Sequence, residues 1–165
     1  MKAFMTIGTL SFLQQLTKKH PSTNIYLMNH TEENSSLAYY EGIGKNIFTA
    51  GKTYDILLTT KELRESGFVI MHNIPITKEN QPIFEERMEK ALNTIEKIPG
   101  FYAGRLLKHI KKHHYVVLTQ WASLHDFDRW KTSDTFIALS TKHMQPAYFA
   151  SRAFTTSYIM YDENE

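Results

Sequence analysis

The sequence contains no cysteine among its 165 residues. This absence excludes disulfide scaffolds, cysteine-ligated zinc, iron–sulfur clusters and thiol nucleophiles. No run approaches the roughly 20 consecutive apolar residues that a membrane-spanning helix needs. The apolar start of the chain is not followed by the small-residue cleavage site of a signal peptide. We therefore expect a cytoplasmic protein without a membrane partner.

A strong charge of one sign is also absent. The chain has 19 Lys and Arg residues and 17 Asp and Glu residues, which gives a net charge of +2. This balance gives no bulk attraction to nucleic acid, so no nucleic-acid partner is expected. Phosphate-binding loops, nucleophile elbows and dinucleotide fingerprints are missing as well. The basic stretch 105–114 carries His109, His113 and His114, for which a solvated hairpin turn is favoured over a convergent metal site.

The second half of the chain alternates clearly between strand and helix patterns. Strands are predicted at 67–77, 101–110, 115–121 and 154–161. A helix is predicted from Asn80 to the Pro99-Gly100 break, a short helix after Ser123, and a further helix from Ser133 to Pro146. The order β-α-β-β-α-β is that of a ferredoxin-like α+β fold, with helices on one side of an antiparallel sheet.

The first half is less regular. Strands are predicted at 3–7 and 25–28 with a helix at 12–19 between them, followed by a hairpin of 36–40 with 46–50 and a helix at 53–63. This pattern indicates a degenerate copy of the same fold, and domains at 1–65 and 66–165. Two sheets packed face to face would make the chain an internal pseudo-dimer; monomer and homodimer both stay open.

The inward stripes of these elements predict a hydrophobic core. Its members are Ile70, Ile74, Phe84, Met88, Leu92, Ile95, Val117, Trp121, Phe127 and Phe136. The second face of strands 67–77 and 115–121 is also apolar, so we expect the amino-terminal half to cover it.

A few residues could form a site. Asn73 is polar within an apolar strand, Trp130 lies on the apolar face of a helix, and Phe136, Ser140 and His143 share one helical face. Together they could line a flat apolar pocket. On the residues alone, the ordinary interpretation is favoured: a strand-edge asparagine, a core tryptophan and an exposed histidine.

Residues 67–161 resemble the antibiotic biosynthesis monooxygenase (ABM) domain. The segments that carry the resemblance are GFVIMHNIPIT, IPGFYAGRLLK and LTQWASLHDFDRWKTSDTF. The early IGTLSFL and GKTYDIL segments are similar to the amino-terminal half of longer members, the HmoB-type heme-degrading proteins and the TRAP-type proteins.

This resemblance implies roles for individual residues. In Isd-type heme-degrading members the catalytic set is Asn, Trp and His, which implies Asn73 and Trp130 as catalytic residues here. The axial histidine falls at Ser140, a poor ligand for heme iron, and His143 is the nearby substitute as iron ligand. Phe136, Ser140, His143 and Arg105 are the implied cofactor-binding residues, with heme as both cofactor and substrate, dioxygen, and an external reductase as electron donor.

Three functions remain open on this basis. The first is a heme-binding monooxygenase that opens the porphyrin ring and releases iron. The second is a non-catalytic TRAP-like heme-binding or stress-related protein that has lost the axial histidine. The third is an oxygenase that acts on another small aromatic compound without metal or cofactor.

Overall fold

The computed structural model describes residues 1–133 and 151–162 of the chain. The elements in these residues are β1 (Lys2–Gly8), α1 (Leu10–Lys19), β2 (Tyr26–His30), β3 (Ser36–Gly42), β4 (Lys52–Thr60), β5 (Phe68–Pro75), a 3-10 turn (Lys78–Asn80), α2 (Gln81–Ile95), β6 (Phe101–His109), β7 (His114–Trp121), α3 (Leu124–Lys131) and β8 (Phe154–Met160).

Within the described residues, the strands close into a barrel in the order β1-β3-β2-β8-β5-β7-β6-β4, and every neighbouring pair is antiparallel. The two halves meet edge to edge, because β2 pairs with β8 and β4 pairs with β6. The predicted internal pseudo-dimer of two separate sheets is therefore not confirmed. The division into domains at 1–65 and 66–165 stays a prediction.

The carboxy-terminal half has the predicted order, β5-α2-β6-β7-α3-β8. Pro82 stands in the first turn of α2, where its missing N–H breaks no helical hydrogen bond. The Ser123 hydroxyl accepts from the Asp126 backbone N–H at 3.3 Å, which confirms the predicted cap of α3. The predicted helix after Ser133 lies outside the described residues from position 134 onward.

The amino-terminal half differs from the prediction in its last elements. The predicted helix at 53–63 is wrong, since β4 is a strand that hydrogen-bonds to β1 and β6. The predicted strand at 46–50 is also wrong. There the Asn46 side chain accepts from the Phe48 N–H at 2.8 Å and the Tyr40 hydroxyl accepts from the Ile47 N–H at 2.9 Å, so side chains take up backbone groups that a strand would pair.

Two large apolar layers lie on opposite sides of the β5–β7 sheet. The layer between the sheet and the helices contains every predicted core residue except Phe136, which is outside the described residues. The barrel interior is the second layer, where Val69, Met71 and Leu118 meet Met5 and Leu37 from the other half. This confirms that the amino-terminal half covers the second face of the sheet.

Candidate functional site

Strand β5 is central to the candidate site because it separates the two layers. Its side chains alternate between opposite faces, as in any strand. Phe68, Ile70 and Ile74 point toward the helices, whereas Val69 and Met71 point into the barrel. We call these the helical face and the barrel face of β5. By this alternation His72 belongs to the helical face and Asn73 to the barrel face.

Trp130 lies on the helical side, on α3. It is only 1% exposed and packs on Trp121, with ring centroids 5.0 Å apart, and on Phe127, at 5.9 Å. These contacts confirm that Trp130 is on the apolar face of its helix. They also make its indole a rigid aromatic wall, since the neighbouring rings restrict its rotamers.

His72 is half-buried on the same side of the sheet. Its Nδ1 is 3.1 Å from the hydroxyl of Thr155 on β8, the residue that pairs with it across the strands. Burial lowers the pKa of His72 from 6.5 to about 4, and the positive charge of Lys131 acts in the same direction. The imidazole is therefore neutral at neutral pH, with one ring nitrogen as donor and the other as acceptor.

A groove of about 620 Å³ lies beside the helical face, where β5 and α3 begin and β8 ends. Phe68, Leu124 and Ile159 line it, and the last two expose half of their surface or more. Phe68 connects the groove to the aromatic layer, since its ring lies 6.5 Å from Phe127. Apolar side chains left exposed beside a concave surface are typical of a ligand-binding groove.

Asn73 lies elsewhere, at one end of the barrel. Its Nδ2 donates to the Met71 carbonyl oxygen at 3.2 Å, and its Oδ1 is 3.3 Å from Nε2 of His114. It lines a cavity of about 240 Å³ between the two halves of the chain. The structure therefore places Asn73 and Trp130 on opposite faces of the sheet and does not bring them together.

Arg105 also points into the barrel and is 3% exposed. Its Nε lies 2.7 Å from Oε2 of Glu41 on β3, and its Nη1 donates to the Lys61 and Gly104 carbonyl oxygens. The Tyr39 hydroxyl donates to the same carboxylate. This network links the two halves of the chain. Arg105 could contact a heme propionate only if its hydrogen bonds to Glu41 and Lys61 were broken. Arg105 as a cofactor-binding residue stays a prediction.

The remaining predicted ligands, Phe136, Ser140 and His143, lie outside the described residues, so their roles also stay predictions. The histidines of the hairpin have separate surroundings. His109 accepts from the Lys111 and Lys112 N–H groups, His113 contacts Gln81, and His114 contacts Asn73. In the described parts of the chain no cluster of three His, Asp or Glu side chains is placed to hold a metal ion.

Sequence reasoning missed His72, although the signal for it was present. Ile70 and Ile74 are both predicted core residues that face the helices, and His72 stands between them with the same strand parity. The alternation therefore assigns His72, rather than its neighbour Asn73, to the side that carries Trp130.

Part of the second half of the chain is similar to a known protein family. Residues 67–142 match the model for antibiotic biosynthesis monooxygenases. The matched ABM region begins just before β5 and includes α2, β6, β7 and α3, so it carries both His72 and Trp130.

Individual relatives extend the likeness to the first half. A heme-degrading monooxygenase of Listeria monocytogenes is 28% identical over 132 residues, which is 80% of this chain and 78% of that protein. The signal transduction protein TRAP of Staphylococcus epidermidis is 23% identical over 158 residues, or 96% of this chain and 93% of that protein.

The solved structure of a major regulator of staphylococcal pathogenesis superimposes with a TM-score of 0.89 at 21% identity. It covers 98% of this chain and 100% of that one, so the likeness in fold extends over both halves. No helix in the parts of the chain that the structure describes has the length and apolar character of a membrane span.

Proposed function

We propose that this protein is a heme-degrading monooxygenase that opens the porphyrin ring with dioxygen and electrons from an external reductase, and releases iron. The observation that carries the proposal is the 28% identity to a heme-degrading monooxygenase over 80% of the chain, together with the ABM match. The reductase, the cytoplasmic location and the oligomeric state stay predictions.

The helical face of β5 fits such a substrate. A porphyrin is a flat apolar ring, and Phe68, Leu124 and Ile159 give the groove beside this face an apolar surface, next to polar lining residues that include Glu32 and Asp162. Heme, when bound, supplies both the iron that reacts with dioxygen and the ring that is oxidised. The packed indole of Trp130 stiffens the side of the site that α3 forms.

His72 is the polar side chain that we assign to this face. His72 lies further along β5 than the groove, whose wall on this strand is Phe68. Its neutral imidazole, which contacts Thr155, would offer a hydrogen bond to a substrate that extends from the groove along this face, without bringing in a charge. Asn73 as the catalytic amide is the alternative that the family resemblance supports. The two assignments predict different variants to be slow. Loss of His72 should impair catalysis if the heme lies on the helical face of β5, and loss of Asn73 should impair it if the heme lies on the barrel face.

In this proposal His143 would hold the heme iron, because Ser140 stands at the position where the family resemblance implies the iron-binding histidine. Neutral imidazole is a good ligand for heme iron, whereas a serine hydroxyl is a poor one. We therefore expect His143→Ala to weaken hemin binding and Ser140→His to strengthen it and raise turnover. Unchanged binding in both variants would contradict this assignment.

Hemin titration followed by addition of ascorbate tests the function. A sharp shift of the Soret band and then bleaching, with iron captured by a ferrous chelator, is the expected result. Absence of any Soret shift would contradict heme binding. His109→Ala is the matched control, since its ring nitrogen caps the hairpin turn away from the groove.

A second candidate is a non-catalytic TRAP-like protein. It is favoured by the likeness to TRAP over 96% of the chain and by Ser140 at the position where the family resemblance places the axial histidine. The same titration separates the two candidates, because a protein of this kind would shift the Soret band without bleaching it. Absence of any shift would leave the third candidate, an oxygenase that works without metal or cofactor.

A further inference from the structure

The cavity at the Asn73 end of the barrel has no role in the proposed heme chemistry. We propose that it binds a small amphipathic anion, an aliphatic or aromatic carboxylate whose apolar part enters the barrel and whose carboxylate stays at the mouth. The inference is independent of heme binding, because the cavity lies on the barrel face of β5.

The walls of this cavity are apolar and come from both halves of the chain. Met5 and Leu37 form one side, and Met71, Val116 and Tyr158 form the other. Its volume of about 240 Å³ lies below the roughly 300–1,000 Å³ of pockets for drug-sized ligands. The cavity therefore suits a short chain or a single ring.

The mouth of the cavity is positively charged. Lys52 lines it directly. His114 touches the cavity wall through Asn73, whose Oδ1 is 3.3 Å from its Nε2. Burial, with smaller effects from the charges of Lys52 and Lys112, lowers the pKa of both His109 and His114. None of the ion pairs formed among residues 1–133 and 151–162 uses Lys52, Lys111 or Lys112. An anion at the mouth would meet the Lys52 ammonium group, which forms none of these ion pairs.

Asn73 adds a directional polar group to the cavity wall. One N–H of its amide donates to the Met71 carbonyl, which leaves the second N–H to donate to an acceptor in the cavity. A carboxylate oxygen is such an acceptor, and charge-assisted hydrogen bonds of this kind are stronger than neutral ones. Shape, charge and hydrogen bonding thus favour the same class of ligand.

The test is calorimetric titration of the full chain with sodium octanoate, and with octan-1-ol as the neutral analogue. We expect octanoate to bind more tightly than octanol and to weaken as salt is added, since salt screens the charges at the mouth. Lys52→Gln should weaken octanoate about three- to tenfold and leave octanol unchanged. Lys18→Gln, on exposed α1, is the matched charge control.

Thr156→Phe fills the cavity from a half-buried position on β8 and should abolish binding of both compounds. Its hemin titration and melting temperature should stay those of the unaltered chain, which separates this site from the heme proposal. The inference is overturned if octanoate does not bind, if octanol binds equally well, or if Lys52→Gln changes nothing. It is also overturned if octanoate shifts the backbone resonances of Phe68 and Leu124 instead of those of Met71 and Asn73.

Discussion

The two faces of β5 differ in what covers them and in what they offer chemically. The helical face is covered by α2 and α3, has a groove with exposed apolar side chains at its edge, and carries His72 beside Thr155. The barrel face is covered by strands of the other half and carries Asn73 beside a small cavity. One strand therefore serves two separate compartments, and a shift of one residue in a functional assignment moves the chemistry from one compartment to the other.

The largest expected effect comes from removing the barrel side altogether. A chain that starts near Ser66 would expose Val69, Met71 and Leu118 and the unpaired edges of β6 and β8. Exposed apolar strands of this kind promote association, so we expect aggregation or dimerisation in size-exclusion chromatography. A soluble, fully stable monomer would show that the barrel face does not need the first half.

A smaller effect is expected from a substitution that creates a cavity in the apolar layer between the sheet and the helices. Leu92 is 1% exposed in α2, and Leu92→Ala should lower the free energy of unfolding by about 2–5 kcal/mol. Ile83→Ala in the same helix is the matched control, because Ile83 is 54% exposed and should change little. Urea denaturation measures both, and equal losses would contradict the placement of α2.

The charge state of His72 gives a still smaller effect. Its pKa is about 4 when folded, against the ordinary 6.5, so the unfolded chain binds an additional proton between these values. Its contribution to stability is complete above pH 6.5 and is lost as the pH falls toward 4, by no more than about 3 kcal/mol. In His72→Asn, the free energy of unfolding measured by urea denaturation should fall less between pH 7 and pH 4 than it does in the unaltered chain. The same pH dependence of the free energy of unfolding in both proteins would contradict burial of His72 in a neutral state.

Local patterns in the sequence account for most of the carboxy-terminal half. β-branched runs mark β5 and β7, and Pro99-Gly100 and Ser123 mark where helices end and begin. β4 could not be predicted in the same way. Its Tyr54 and Leu58 have a spacing compatible with a helix, and its strand state depends on pairing with β1 and β6, which are distant in sequence.

The site was predictable in part. The burial of Trp130 follows from the apolar stripe of α3. The family motif indicates a polar residue on β5, but a motif carries no information on which face that residue occupies. The alternation of side chains along the strand could have supplied this information, since Ile70 and Ile74 already indicate which positions belong to the helical face. The contact between Asn73 and His114 depends on the register of β5 with β7, which requires the folded sheet.

The rate of Soret bleaching with ascorbate, in His72→Ala and Asn73→Ala side by side, tests the central claim most directly. His72→Ala should retain most hemin binding and slow bleaching about tenfold or more, because a hydrogen-bonding group next to the substrate is removed. His72→Asn should recover part of the rate, since an amide can take over a hydrogen bond on the same face. Asn73→Ala should bleach at the rate of the unaltered chain. Slow bleaching in Asn73→Ala with a normal rate in His72→Ala would contradict the account and place the heme chemistry on the barrel face.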